Sequence, residues 1–310
     1  MNSVIVALFL VAVALFVHPA TASAQEAARA LAYVVGSGNS ALDNHVTGLL
    51  ENQLAGKVTL KPVAEPALAA LGDSPVITIG PVAFSKVRQQ NRALPVLALL
   101  VEKQFIDDYA ARSPGMVTAV YYDVPLLRQA LTGQAILPQA TRVALLATTE
   151  SAALYEPLLE QLADYDLEAR VFIADTEDQL VPSLIRALDF GDFLLAGPDD
   201  DIYNPRNIKH ILLTAYRRNK ILVGPNQAYV KAGALASSYA PFTAMAVRAG
   251  NYLFEYLETG AFPAPAYPGE FRVEINRQVA RSLNIPVPER EQIAQSVQTM
   301  INQHHQENGQ

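Results

Sequence analysis

The stretch Ile221 to Pro241, ILVGPNQAYVKAGALASSYAP, decides how this chain folds. It reads as a buried strand over Ile221 to Val223, a turn through Gly224 and Pro225, a polar and aromatic segment from Asn226 to Lys231, and a second short strand from Ala234 to Ser237. A strand end of this kind delivers Asn226 and Tyr229 to open space, while Gly233 and the small residues after it let backbones approach closely. The stretch suits the edge of a cleft, so the rest of the chain is read for two lobes that enclose one.

Upstream, the same alternation repeats. Ala30 to Val35 is an apolar run closed by Gly36-Ser37-Gly38-Asn39, and Ala41 to Leu54 carries Leu42, Val46, Leu49 and Leu50 at helical spacing. Strand signals follow at Val58 to Val63, Val76 to Ile79, Pro95 to Val101 and Val117 to Tyr122. Between them lie a turn or two of helix at Pro66 to Leu71, then helices at Val82 to Gln90 and Glu102 to Ala111. From Pro125 the pattern restarts: strands at Arg142 to Ala147, Ala169 to Ala174 and Phe193 to Ala196 alternate with helices at Ser151 to Asp164, Glu177 to Leu188 and Pro205 to Asn219. Strands that are apolar on both faces and separated by helices imply parallel sheets covered on both sides. Two successive runs imply two doubly wound lobes.

Downstream, Phe242 to Leu257 is a long helix with Met245, Ala249, Tyr252, Leu253 and Tyr256 along one face. Phe262 to Pro268, with prolines at 263, 265 and 268, is an extended connector. Phe271 to Ile275 alternates as a strand, Arg277 to Leu283 and Glu289 to Ile301 read as helices, and the tail from Asn302 is expected to fray.

The 310 residues are 51% hydrophobic and 17% charged, enough for two domains of roughly 100 to 150 residues each. Val4 to Val17 is an apolar run too short for a bilayer span, and Ala22-Ser23-Ala24 follows as a small-x-small site. This predicts a secretory signal over residues 1–24, cleaved near Ala24, and a periplasmic mature protein; an uncleaved amphiphilic anchor is the alternative, because Met1-Asn2-Ser3 has no Lys or Arg. The absence of cysteine excludes disulfides, thiolate zinc sites and a lipid-modified Cys. A net charge of −7 argues against nucleic-acid binding, which requires a basic face.

No catalytic, metal or cofactor arrangement is legible. His45 and His210 fall in helices and His304 and His305 in the tail, with no HExxH spacing. Neither a Gly-x-Ser-x-Gly elbow nor a P-loop occurs, and the Gly36-Ser37-Gly38 turn lacks the spacing of a dinucleotide fingerprint. Asp199-Asp200-Asp201 follows a strand at its carboxyl end, where open α/β sheets bind ligands. Those carboxylates suit either a ligand or the capping of the next helix.

Three strings carry a family resemblance: KAGALASSY from Lys231 to Tyr239, Val247-Arg248-Ala249-Gly250 within its helix, and Glu274-Ile275-Asn276 followed by VARSLNIP from Val279 to Pro286. The chain resembles the substrate-binding proteins of ABC transporters with the type I periplasmic binding protein fold, in the branch that includes tryptophan and other aromatic amino-acid binders. The likeness is good from about Thr141 to Pro288 and thin before Pro95. It implies one lobe of residues 27–122 plus 241–267 and another of 123–240 plus 268–310, joined by a three-strand hinge with crossings near Tyr122, Ala240 and Pro268.

The resemblance also assigns residues. Asp200 matches an aspartate that would face a ligand ammonium. Asn226 stands where the family commonly has a carboxylate, and Gly80-Pro81 match a Gly-Thr-Pro turn whose N–H groups could hold a carboxylate, here without the Thr. Ala64 to Ser74 leaves room for only a stub where the family has a full helix. Independently of the family, Tyr121, Tyr122, Tyr203, Tyr229 and Tyr239 fall at strand ends or hinge segments, which suggests an aromatic-walled cleft or plain interlobe packing. The expectation is a monomeric, non-enzymatic solute-binding protein that presents a small aromatic or amino-acid-like ligand to an inner-membrane permease; the alternative is a sensory partner of a membrane receptor or kinase.

Overall fold

A computed structural model describes residues 30–308, so the signal expected over residues 1–24 lies outside the described residues. The chain opens with β1 (Ala30–Val35), α1 (Ser40–Leu54) and β2 (Val58–Pro62), continues through β3 (Val76–Ile79), α2 (Pro81–Gln90) and β4 (Val96–Val101), and reaches α3 (Lys103–Arg112) and β5 (Val117–Tyr121). These five strands form one parallel sheet in the order β2-β1-β3-β4-β5. The stub expected between β2 and β3 is a 3₁₀ turn at Glu65–Ala70.

The second series is α4 (Leu126–Ile136), β6 (Arg142–Ala147), a 3₁₀ turn at Ala152–Tyr155, α5 (Glu156–Ala163), β7 (Glu168–Ile173), α6 (Glu177–Phe190) and β8 (Phe193–Leu195). It runs on through α7 (Ile208–Arg217), β9 (Ile221–Val223), α8 (Gln227–Ala232) and β10 (Ala236–Tyr239). After α9 (Phe242–Thr259) come β11 (Arg272–Ile275), α10 (Arg277–Ser282) and α11 (Arg290–Asn308). The second sheet is ordered β11-β10-β9-β8-β6-β7, parallel except for β11, which runs antiparallel to β10.

Alternation along each strand supplies both faces of each sheet. In the first lobe Val76, Val96 and Val117 pack with Phe84 of α2 and Ile106 of α3, while Ile77 and Leu97 pack on the other side with Leu50 of α1 and Leu253 of α9. In the second, Val143, Leu145 and Phe193 meet Leu131 of α4 and Val297 of α11; Ala144, Leu146 and Leu194 meet Leu184 of α6 and Ile211 of α7. This is the doubly wound arrangement that the sequence pattern predicts. The chain passes between the sheets three times: after β5, between β10 and α9, and between α9 and β11. The third passage stays attached to the first sheet, where Tyr121 N–H donates to Ala266 O at 3.1 Å and Ala266 N–H to Ala119 O at 3.2 Å.

Three local expectations need correction. The polar segment after Asn226 is a helical turn and a half, because the Asn226 side chain accepts from Ala228 N–H at 3.0 Å and caps it. Gly233, at φ 127, ends that helix, and Ala234 N–H still bonds back to Tyr229 O, so the strand begins at Ala236 rather than Ala234. The tail does not fray at Asn302: α11 runs on to Asn308, where the His304 ring packs 5.1 Å from Tyr165 and its Nε2 lies 3.3 Å from Asp164.

Candidate functional site

A cavity of about 610 Å³ opens beside the first two crossings. The first lobe lends it His45 and Leu49 of α1 and Phe242 and Thr243 from the start of α9. The second lobe lends Asn226, Lys231 and Arg272, and the crossings themselves contribute Tyr122, Val124 and Tyr239. Its volume falls within the range of about 300–1,000 Å³ that small-molecule sites occupy.

The second-lobe wall is held by one buried side chain. β9 is so short that only Ala236 of β10 pairs with it, at Val223, which leaves the next backbone groups of β10 without a strand partner on that side. Gln129 of α4, 1% exposed, replaces the strand: its Oε1 accepts from Ser238 N–H at 2.7 Å, and its Nε2 donates to Ser238 O at 2.8 Å and Pro225 O at 3.1 Å. The Ser238 and Thr132 hydroxyls close the group at 2.6 Å. Pro225 and Tyr239, both on the cavity wall, are thereby tied to α4.

The sequence-predicted residues divide. Tyr122, Asn226 and Tyr239 come together on the cavity. Tyr122 is 41% exposed, with its ring 6.5 Å from that of Phe242, and Tyr239 pairs with Arg272 across β10 and β11. Tyr121 turns away: its hydroxyl donates to Asp107 and its ring packs 4.8 Å from Tyr267. Tyr203 is buried in the α6–α7 core, its hydroxyl donating to Leu195 O at 3.4 Å, and Tyr229 spends its hydroxyl on Tyr203 O. Burial drives the hydroxyl pKa of all three upward, so they stay protonated donors. Gly80 and Pro81 lie outside the cavity lining; the Gly80 N–H is consumed by Leu99 O at 2.8 Å and Pro81 has none.

The acidic triplet separates by role. Asp199 is buried and accepts from Thr148 N–H at 2.8 Å, from the N–H groups of Asp201 and Ile202 at 3.0 Å each, and from the Ser151 hydroxyl. Burial raises its pKa, but the bonds from Ser151, Thr148 and Ile202 outweigh that and hold the carboxyl below the usual range. Asp200 is left exposed and outside the cavity lining. It faces Glu102 electrostatically: desolvation raises the Glu102 pKa, and the charges of Asp123 and Asp200 raise it further. A bulge at Leu100, with φ 56, ends the regular β4 ladder just before Glu102. Asp123, raised by burial, accepts from Lys103 N–H at 3.0 Å and from the Tyr267 hydroxyl at 3.2 Å.

His45, Lys231, Phe242, Thr243 and Arg272 were not singled out from the sequence as site residues. Each sits on a helix or edge strand, only Lys231 within a recognisable string, KAGALASSY, which marks no ligand contact, and only the chain crossings bring them together. Among the described residues no group of three or more His, Asp and Glu side chains is arranged to hold a metal, and no helix is long and apolar enough to cross a membrane.

No protein-family model matches the chain, and no curated protein matches it. Solved structures do. A ligand-free, open substrate-binding protein with adhesive properties from Clostridium difficile superposes with a TM-score of 0.69 at 13% identity, over 86% of this chain and 98% of that one. The ABC domain in complex with L-Trp from Streptococcus pneumonia gives 0.55 at 18% identity, covering 84% and 96%. A conserved domain protein from Vibrio cholerae gives 0.55 at 16% identity, with the same coverages. With two doubly wound lobes, three crossings and a cavity beside them, the chain has the fold of the type I periplasmic binding proteins.

Proposed function

We propose that the protein is an exported, non-enzymatic solute-binding protein that captures a small molecule between its lobes and presents it to an inner-membrane permease of an ABC importer. The observation that carries this reading is the cavity beside the crossings, whose wall is shared between α1 and α9 of one lobe and α8 and β11 of the other. A ligand in contact with both walls favours whichever interlobe arrangement brings them together, which supplies the differential affinity that closure requires. The fold of an open, ligand-free substrate-binding protein supports the same reading.

Calorimetry and thermal shift on ligand-stripped protein lacking residues 1–24 test it, across amino acids, aromatic acids, purines and sugars. Saturable binding by at least one class is expected, with stabilisation of about 2.7 kcal/mol at a hundredfold excess over Kd. No stabilisation by any class contradicts the proposal. The 3₁₀ stub at Glu65–Ala70, where substrate-binding relatives by resemblance carry a full helix, favours a second reading in which the protein docks on a membrane receptor or sensor kinase. Neighbouring genes separate the two: a permease and ATPase pair supports import, a lone receptor or kinase supports sensing.

A further inference from the structure

The charged side chains on the cavity wall are both basic, Lys231 at the end of α8 and Arg272 at the start of β11, and His45 of α1 also lines it. No Asp or Glu lines it, in a chain whose net charge is −7. Elsewhere in the second lobe several arginines are matched to carboxylates, as in Arg277 with Glu289, Arg290 with Glu274 and Arg206 with Glu177. Lys231 and Arg272 have no ion pair or hydrogen bond from their side chains among the described residues. The carboxylate two residues along β11 from Arg272 is already engaged, since Glu274 lies 2.8 Å from Arg290 and accepts from Gln227 at 3.4 Å. Two like charges left unmatched on one concave wall are stabilised by an anion between them.

Two further features point the same way. α9, eighteen residues long, starts on the wall at Phe242 and Thr243, and its N-cap Pro241 offers no side-chain acceptor to its first N–H groups, so the positive end of the helix faces this space. The remaining surface is aromatic: the Phe242 ring has His45 at 5.7 Å and Tyr122 at 6.5 Å, with Tyr239 on the opposite strand. An ammonium group, by contrast, meets no carboxylate there. Asp199 is committed to its own loop, Asp200 lies outside the lining, and the Asn226 side-chain oxygen already accepts from Ala228 N–H.

We propose that the ligand class of this cavity is a planar aromatic carboxylate, held by Lys231 and Arg272 of the second lobe with its ring against Tyr122 and Phe242, rather than an amino-acid zwitterion. The proposal rests on the reading of the cavity as the solute site. It gives closure a chemical cause: the anion binds the second lobe by charge and the first lobe by its ring and by the α9 terminus.

Calorimetry on ligand-stripped protein tests it with matched probes: indole-3-acetate and 4-hydroxyphenylacetate, the neutral indole-3-acetamide, the cation tryptamine, the zwitterions L-tryptophan and L-tyrosine, and glucose. The carboxylates are expected to bind at least tenfold tighter than any other probe. Arg272→Gln and Lys231→Gln should each weaken them tenfold or more, while both variants melt like the parent. Binding of a zwitterion, amine, amide or sugar in preference to the carboxylates overturns the anion class and leaves the solute-binding reading standing. Carboxylate binding unchanged in both variants overturns the site. Failure of every probe to bind overturns the proposal and leaves the solute-binding reading to the broader screen across amino acids, aromatic acids, purines and sugars.

Discussion

The two lobes present their walls to the cavity by different physical means. The second lobe fixes its wall with a buried polar group, the Gln129 amide that stands in for a strand beside β10; away from the cavity, the Asp199 carboxylate in the same lobe gathers Thr148, Ser151 and Ile202 into one loop. At the first lobe's wall the fastening is partly exposed: Asp43 of α1 accepts from the Ser37 N–H at 2.8 Å and hydroxyl at 2.7 Å. Its wall is otherwise set by packing, through Val46 and Leu50 of α1 against Met245 and Ala249 of α9. A wall built on buried hydrogen bonds holds charged groups in a defined register, and a wall built on packed helices offers a smooth aromatic surface. The difference explains why the charges at this site come mainly from one lobe and the rings mainly from the other.

The largest effect should come from removing the amide that replaces a strand. Gln129→Ala leaves Ser238 N–H buried without a partner and takes one donor each from Ser238 O, which keeps the Ser237 hydroxyl at 2.9 Å, and from the half-buried Pro225 O, at about 3 kcal/mol, read by urea unfolding. A loss under about 1 kcal/mol would mean that the second-lobe wall is held some other way. Asp199→Ala should cost about 2 kcal/mol for its buried donors. Its pH dependence has a definite sign. Asp199 has a lowered folded-state pKa, so its contribution is present above its unfolded value near 4 and is lost as the pH falls through the folded one. Acid melts of the variant should therefore be flatter than those of the parent. Asp43→Ala, the first-lobe counterpart, should cost about 1 kcal/mol; a cost equal to that of Asp199→Ala would erase the contrast between the lobes.

The smallest effect has the opposite sign. Glu102 has a raised folded-state pKa, so its protonation favours the folded protein below that value and the benefit is lost as the pH rises through it. Glu102→Gln should raise the Tm slightly at pH 7, with the difference vanishing at about pH 4. A lower Tm at pH 7 would show that Glu102 is engaged rather than repelled by Asp123 and Asp200.

The sheets were legible because the central strands β3 and β4 of the first lobe are buried on both faces and, Thr78 apart, carry no polar residue that would blur their limits. The site was legible only in part. Three successive aspartates look alike in sequence; which one turns inward is set by Thr148 and Ser151, some fifty positions earlier in the chain. Tyrosine has the same ambiguity at a strand end: Tyr203 found a buried acceptor, Tyr121 a half-buried one in Asp107, and Tyr122 found the cavity. Arg272 joins the wall because β11 pairs antiparallel with β10 and sets it opposite Tyr239, a long-range pairing that no local pattern around residue 272 encodes.

Closure around a solute is the central claim, and the absence of native cysteine makes it directly measurable. Donor and acceptor dyes on Gln90→Cys at the end of α2 and Lys209→Cys in α7 place one label on each lobe. Titration with the solute that calorimetry identifies should change the transfer efficiency between the dyes saturably, with a midpoint equal to the calorimetric Kd. An unchanged efficiency in protein that calorimetry shows to be saturated would contradict capture between the lobes.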